Sequence, residues 1–298
     1  MGGGWTAQHT LQRTMWLANG LLWPSYWFWQ GAVATGVWVI AHECGHGAFS
    51  NSEALNDAVG LFFHSLLLVP YYSWKHSHRR HHQHTGSAEL DEVFVPPVQP
   101  AGTKQPWYQH NPVYRIGHIL FQQVLGWPLY LLFNVSGHSY KSWANHFNPY
   151  SPIFTKRERI EVLISDLALV AVAAGLALLG RSFGFVWLLK TYLIPYIVVN
   201  HWLVRRGWRL ALMIAFLQHT HHASHSPHLL SFVARNHQLQ LPTSRNSVPT
   251  AARTQVLGSY YAEDRRNVFQ ALWQEVGTCA HVAPDVDGPE DVYWFQSQ

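Results

Sequence analysis

Long apolar segments are the feature that most limits how this chain can fold. They cover about residues 15–41, 54–74, 116–135, 162–179 and 183–204. A helix of roughly 20 apolar residues crosses the hydrocarbon core of a membrane, and it does so with every backbone polar group hydrogen-bonded. Charged residues make up only 12% of the chain, well below the share in soluble domains. We therefore predict an all-α, polytopic membrane protein with about 4–6 membrane segments.

Two clusters of histidines follow the first two apolar segments. The first, His42-Glu43-Cys44-Gly45-His46, holds His42 and His46, and the second has the pattern His-x-x-His-His and holds His78, His81 and His82. Residues three or four apart share one face of a helix, and neutral imidazole is a ligand for zinc, copper, iron or nickel. Five imidazoles exceed the four ligands of a structural zinc site. They predict two metal ions, or one ion with redundant ligands.

The two clusters must lie on the same side of the membrane if they are to share a metal site. We therefore expect segment 54–74 between them to be shallow or a re-entrant hairpin. The loop 139–159 carries basic residues, which favour the cytosolic side; they are Lys141, Lys156, Arg157 and Arg159. The sequence thus predicts a cytosolic cap that is rich in histidine.

Charge and cysteine content exclude other classes of protein. The net charge of +4 comes without a polybasic run, so no nucleic-acid partner is expected. Two cysteines, Cys44 and Cys279, make no disulfide framework, as is typical of a reducing environment.

We treat residues 1–298 as a single domain. Its membrane segments and both histidine clusters lie in 15–204, and 256–298 is expected to be a cytosolic C-terminal segment. Between them, 205–255 is atypical, because Arg205, Arg206 and Arg209 interrupt an apolar run. A third group of histidines follows there: His219, His221, His222, His225 and His228.

Several motifs together resemble the membrane-bound fatty acid desaturases, and the plant and fungal Δ12 (oleate) branch in particular. They are Gly36-Val37-Trp38-Val39-Ile40-Ala41-His42-Glu43-Cys44-Gly45-His46, Phe63-His64-Ser65-Leu66-Leu67-Leu68-Val69-Pro70-Tyr71, Ser77-His78-Arg79-Arg80-His81-His82, Asp91-Glu92-Val93-Phe94-Val95-Pro96 and Phe216-Leu217-Gln218-His219-Thr220-His221. The resemblance covers most of residues 21–222 and 256–285.

The resemblance implies a multi-pass enzyme of the endoplasmic reticulum membrane whose histidine boxes face the cytosol. Such an enzyme holds two iron ions, uses O2, and inserts a cis double bond into an oleoyl chain on a phospholipid. Cytochrome b5 and its reductase supply electrons, and an oligomer with itself or with other desaturases is a further expectation. The implied metal ligands are His42, His46, His78, His81, His82 and His219. From the residues themselves, Asp91 and Glu92 are candidate partners of histidine N–H groups.

The chain departs from the family in its third histidine box. The family pattern His-x-x-His-His is expected well after His219, whereas this chain has His-x-His-His from His219. His221, His222, His225 and His228 are candidate replacement ligands, although Pro227 opposes a continuous helix through them. The family's N-terminal region and one span are also missing. Our hypothesis is a truncated or mis-spliced gene product in which about 223–255 is out of frame.

Three other hypotheses about the function remain open from the sequence. The chain is an inactive desaturase-like protein if its metal site is incomplete. It hydroxylates, or desaturates at the ω-3 position, if its acyl pocket places a different carbon at the metal. Finally, His42-Glu43-Cys44-Gly45-His46 fits the His-Glu-x-x-His pattern of zinc metalloproteases, in which the glutamate is a general base.

Overall fold

The structure is a computed structural model that describes residues 3–85, 87–104, 106–204, 273, 281–284 and 293–295. Most of the described chain is helical, and the rest is chiefly the loops at 84–106 and 134–158. The α-helices are α1 Gly3–Gly45, α2 Glu53–Leu66, α3 Tyr71–Gln83, α4 Pro112–Phe133, α5 Arg159–Phe183, α6 Phe185–Leu188 and α7 Ile194–Val204. A 3-10 helix spans Trp107–His110, a π-helical turn Leu189–Leu193 joins α6 to α7, and two short strands are β1 Val282–Pro284 and β2 Tyr293–Phe295. The prediction of an all-α fold is confirmed, with this strand pair as an addition.

Two of the described helices, α4 and α5, are long and apolar enough to cross a membrane, and α2 with α3 makes a third if the bent pair is one span. This is fewer than the four to six segments expected. The predicted segment 15–41 lies within α1, whose six tryptophans and one tyrosine are residue types that favour the membrane interface over the hydrocarbon core. Segment 183–204 is divided among α6, the π-helical turn and α7.

The α2–α3 pair forms a sharp bend, as the expected hairpin requires. The two helix axes differ by 108°. Leu68 has a φ of 53° at the bend, and the Val69 amide donates to the His64 carbonyl at 2.9 Å. Pro70 then starts α3. The bend directs α3 away from the line of α2, so the histidines of α3 can face the end of α1.

Polar contacts across the bend hold α2 and α3 together. The Tyr71 hydroxyl donates to Asp57 Oδ1 at 2.9 Å, and Lys75 Nζ lies 2.5 Å from the same oxygen. Gly60 allows the close approach, because a Cβ there would lie 2.3 Å from the ring of Tyr71. Tyr71 is fully buried, so its ring has little room to move.

The start of α5 and the residue before it anchor the face of α3 opposite to the one that carries His78 and His82. Ser165 Oγ accepts from the Tyr72 amide at 2.8 Å, and His76 Nε2 lies 2.6 Å from Glu161 Oε2. Glu158 accepts from Arg80 at 3.0 Å and from the Thr155 amide at 2.8 Å. Burial raises the pKa of Glu158, but the Thr155 amide, His76 and Arg80 outweigh it and hold that pKa below its ordinary value. Glu158 therefore carries a negative charge that fixes Arg80.

Candidate metal centre

Four imidazoles from two helices meet at the end of α1. His42 and His46 come from the last turn of α1 and the residue after it, and His78 and His82 come from α3. One ring nitrogen of each lies within 4.8 Å of the others. His42 is buried, His78 is partly buried, and the other two are exposed. The group thus lies at an edge of the helical core, with one buried side and one exposed side.

The Nε2 atoms are spaced as metal ligands are. His42 Nε2 lies 2.8 Å from His78 Nε2 and 3.3 Å from His46 Nε2, and His82 Nε2 lies 3.0 Å from His78 Nε2. Metal–imidazole bonds of roughly 2.0–2.1 Å put neighbouring ligand atoms about 2.9–3.4 Å apart, depending on the geometry. Two neutral imidazoles at this distance could also share one proton, but four nitrogens converging on one point is typical of a metal site. The residues fit a single metal ion.

Packing between α1 and α3 brings these rings together. A Cβ on Gly45 would lie 2.7 Å from the indole of Trp74, so only glycine allows α1 to end this close to α3. The Trp74 ring stacks on the His78 ring with centroids 4.4 Å apart. The ring centroids of Trp38 and His42 lie 5.3 Å apart. Trp38 and Trp74 belong to one buried apolar cluster. The indole rings of Trp38 and Trp74 therefore line the buried side of the site.

His81 is held apart from the four-histidine cluster. Its Nδ1 lies 2.6 Å from Asp91 Oδ1, and its ring centroid is 5.9 Å from that of His78. A carboxylate that accepts from Nδ1–H fixes the tautomer whose Nε2 is free to bind a metal. The structure thus gives His81 the orientation of a ligand, but directs it to a different position from the other four.

Asp91 is well placed to remain charged. Burial raises the pKa of its carboxyl, but hydrogen bonds from His81 and from the amides of Val93 and Phe94 outweigh that effect and lower it. The amide bonds are 2.9 and 3.2 Å long. The expected contact between Asp91 and a histidine N–H is present.

Glu92, the other candidate partner of a histidine N–H group, contacts a tyrosine and an arginine in the structure. Its two carboxylate oxygens accept from the Tyr140 hydroxyl at 2.6 and 2.8 Å, and Oε1 lies 3.7 Å from Arg80 Nε. The chain bends directly after Asp91, whose carboxylate accepts from the Val93 and Phe94 amides. Glu92 braces the α3 arginine instead of a histidine ring.

Glu43 makes a carboxylate–histidine contact that the sequence did not lead us to expect. Its Oε1 lies 3.2 Å from His42 Nδ1. Such a contact again leaves Nε2 as the metal-binding nitrogen. The only available signal was a glutamate directly after a candidate ligand, which the zinc-protease pattern explains equally well.

Two of the other buried histidines, His64 and His146, also lie outside the cluster. His64 is fully buried among Trp38, Tyr71 and Trp74. His146 is fully buried in the loop before α5, and its Nε2 lies 3.3 Å from Ser77 Oγ. Burial lowers the pKa of His146 to about 4, so its ring is neutral.

The remaining candidate ligands lie outside the described residues. They are His219, His221, His222, His225 and His228. Their roles stay predictions, as does the out-of-frame hypothesis for about 223–255.

Comparison with known proteins gives the same picture across most of the chain. The family model named Fatty acid desaturase matches residues 21–254. A Delta(12)-oleate desaturase of Trichosanthes kirilowii is 44% identical over 93% of this chain and 81% of its own length. An endoplasmic reticulum omega-6 fatty acid desaturase of Glycine max is 41% identical over 93% of this chain and 77% of its own length. An oleoyl-12-hydroxylase of Ricinus communis is 37% identical over 93% and 77%.

No solved structure matches the chain. The alignment with the Trichosanthes relative is 313 residues long, which exceeds the 298 residues of this chain. Some residues of that relative therefore have no counterpart here. The family model matches more than three quarters of this chain, and the two histidine pairs converge as metal ligands do. The chain therefore belongs to the fatty acid desaturase family.

Proposed function

We propose that this protein is an acyl-lipid desaturase that inserts a cis double bond at the Δ12 position of an oleoyl chain on a membrane phospholipid. The observation that carries the proposal is the convergence of four Nε2 atoms in a helical membrane protein. The names of the relatives point to the position of the new double bond. Desaturation needs an oxidant strong enough to remove hydrogen from an unactivated methylene, and bound metal is the usual source.

We infer two iron positions from the way the ligands divide. His42, His46, His78 and His82 would hold one iron, and His81 would bind the other. His219 is the first candidate to join His81, and His221, His222, His225 and His228 are further candidates. The division is supported by the distances around His81, whose ring is directed to Asp91.

Bound iron would supply the activation of O2, with two electrons taken from the acyl chain and two from an external donor to give water. The chain's own residues prepare that chemistry. Asp91 and Glu43 hold His81 and His42 in the tautomer with a free Nε2. Trp38 and Trp74 keep water from the buried side of the site, which strengthens electrostatic interactions there.

We propose that the electrons come from cytochrome b5 and its reductase, and that the protein lies in the endoplasmic reticulum membrane with its histidines facing the cytosol. The location is supported by soybean relatives that are named endoplasmic reticulum isozymes. Association with itself or with other desaturases belongs to the same proposal.

A second candidate function is a desaturase-like protein that binds metal without turnover. The observation that favours it is the unmatched third histidine box, together with an alignment longer than the chain. The zinc metalloprotease alternative is less well supported. A catalytic zinc keeps an open position beside three protein ligands, whereas four histidines meet here, and Glu43 is bonded to His42.

Expression in a yeast that makes no linoleate tests the proposal. Cells that contain the protein by immunoblot should accumulate 18:2 or 16:2 by gas chromatography. A hydroxylated product would assign the reaction of the Ricinus relative instead. Protein without any new product would favour the inactive reading, and the same chain given the family's third box should then make 18:2.

A further inference from the structure

The C-terminal segment adds a strand to the loop between α3 and α4. The Val282 amide donates to the Pro97 carbonyl at 3.0 Å, and the Gln99 amide donates to the Val282 carbonyl at 2.9 Å. Val98 and Val282 are thereby paired in parallel. On its other side, β1 pairs with β2, Val282 opposite Phe295. Residues nearly 200 positions apart are thus joined in a small sheet.

This contact is well packed. His281, Val282 and Ala283 are 3%, 4% and 0% exposed. Elsewhere on the same segment, the Trp273 ring lies 5.5 Å from the Arg115 guanidinium at the start of α4. A surface tail would not bury three successive residues, so 281–284 is a built part of the fold.

The loop that receives β1 is also the loop that orients His81. Asp91 lies seven residues before Val98 and accepts from His81 Nδ1 and from the amides of Val93 and Phe94. Pro96 and Pro97 stand between the two contacts. Proline fixes φ near −65°, so this stretch is stiff.

The side of the loop nearer Asp91 has a brace of its own. The Val95 amide donates to the Ser136 carbonyl at 2.7 Å, and Ser136 Oγ donates to the Val93 carbonyl at 2.9 Å. The loop is therefore fixed on both sides of the proline pair, by the turn after α4 and by β1. Without β1, the proline pair has support at one end only.

We propose that the C-terminal segment is a positioning element for His81: β1 holds residues 97–99, which hold Asp91, which sets the tautomer and direction of the His81 ring. The inference rests on the proposed function only in treating His81 as a metal ligand. The mechanical link from β1 to Asp91 does not depend on it.

Val282→Pro in the full-length chain tests this link. Proline removes the amide that donates to Pro97, while the matched Val282→Thr keeps both the amide and the β-branched shape. Amide hydrogen exchange, read by mass spectrometry on the detergent-solubilised protein, should rise about tenfold or more in residues 93–99 of V282P, as expected for lost backbone hydrogen bonds. V282T should match the wild type, and exchange in α5 should be unchanged in both.

Faster exchange confined to Gln99 would overturn the link to Asp91. If V282P does not fold, Gln99→Pro removes the second hydrogen bond of the same bridge from the loop side, and unchanged exchange in residues 93–95 of that variant would overturn the link. The exchange result is independent of turnover, so it remains valid even if the yeast experiment yields no product.

Metal retention tests the positioning role itself. Iron content after a fixed exposure to chelator should fall by about 10- to 100-fold in V282P and in Asp91→Asn, and the double variant should lose no more than D91N alone. Additive losses, or wild-type retention in V282P, would show that β1 supports the fold without positioning His81.

Discussion

Two pairs of histidines in the described part of the chain, His42 with His78 and His64 with His146, differ in what meets the ring nitrogens. Around His42 and His78, nitrogens of other imidazoles lie 2.8–3.3 Å away. Around His64 there are aromatic rings, and His146 meets a serine hydroxyl. His42 is about as deeply buried as His64 and His146, so burial does not identify a ligand. Convergence of nitrogens from two helices does.

The largest expected effect comes from removing a convergent ring. His78 Nε2 contacts both His42 and His82, so His78→Ala removes the central member of the set. We expect iron in the purified protein and any 18:2 product to fall by more than about 100-fold, beyond the losses seen for groups that only orient a ligand. Elemental analysis and fatty acid profiling measure the two quantities.

His64→Phe is the matched control for this loss. It replaces one buried ring with another in an aromatic pocket, and removes two ring nitrogens that have no well-aligned hydrogen bond within the described part of the chain. We expect iron content to stay at the wild-type level. Equal loss of iron in H64F and H78A would erase the distinction between the two kinds of histidine.

A smaller effect is expected for the group that orients His81. Asp91→Asn replaces a carboxylate that accepts from His81 Nδ1 with an amide, and should weaken metal binding by about 10- to 100-fold. Glu92→Gln is the matched control, because Glu92 accepts from Tyr140. Chelator competition compares the two. A weaker metal site in E92Q than in D91N would reverse the assigned roles.

The packing between α2 and α3 can be disturbed without replacing any histidine. Gly60→Ala puts a Cβ 2.3 Å from the buried ring of Tyr71, and overpacking of this kind costs about 1–3 kcal/mol. Gly36→Ala meets nothing within 4 Å and should stabilise α1 by about 0.5–1 kcal/mol. Thermal unfolding in detergent measures both. Iron per folded protein should be unchanged, and selective loss of iron in G60A would mean that the bend sets the ligand geometry directly.

A cost in stability of similar size, again without loss of iron, is expected at the hydroxyl that contacts His146. Ser77→Ala leaves His146 Nε2 and the Tyr130 hydroxyl without this partner, which costs about 1–3 kcal/mol of stability. Ser73→Ala removes a buried hydroxyl that has no partner among the described residues and should be nearly neutral. Both variants should keep their iron, and loss of iron in S77A would bring His146 into the metal site.

The sequence predicted well whatever depends on local spacing. His42 with His46 and His78 with His82 are four residues apart, so one face of each helix carries the pair. The end of α1 and the bend after α2 followed from the need to bring the pairs together. The long apolar helices α4 and α5 could be predicted equally well, because hydropathy alone defines them.

Tertiary contacts explain what the sequence did not predict. His81 has a ligand spacing too, but Asp91, ten residues later, draws its ring aside. The partner of His146 lies 69 residues away, and Val98 pairs with Val282 across most of the chain. Such pairings have no local period.

X-ray absorption at the iron edge of the purified protein is the most direct test of the central claim that four convergent imidazoles form a metal site. The account predicts a shell of imidazole nitrogens at about 2.0–2.2 Å, the same spectrum for H64F, and loss of the bound metal in H78A. A protein that binds no metal, or an iron spectrum without imidazole scattering that H78A leaves unchanged, would contradict it.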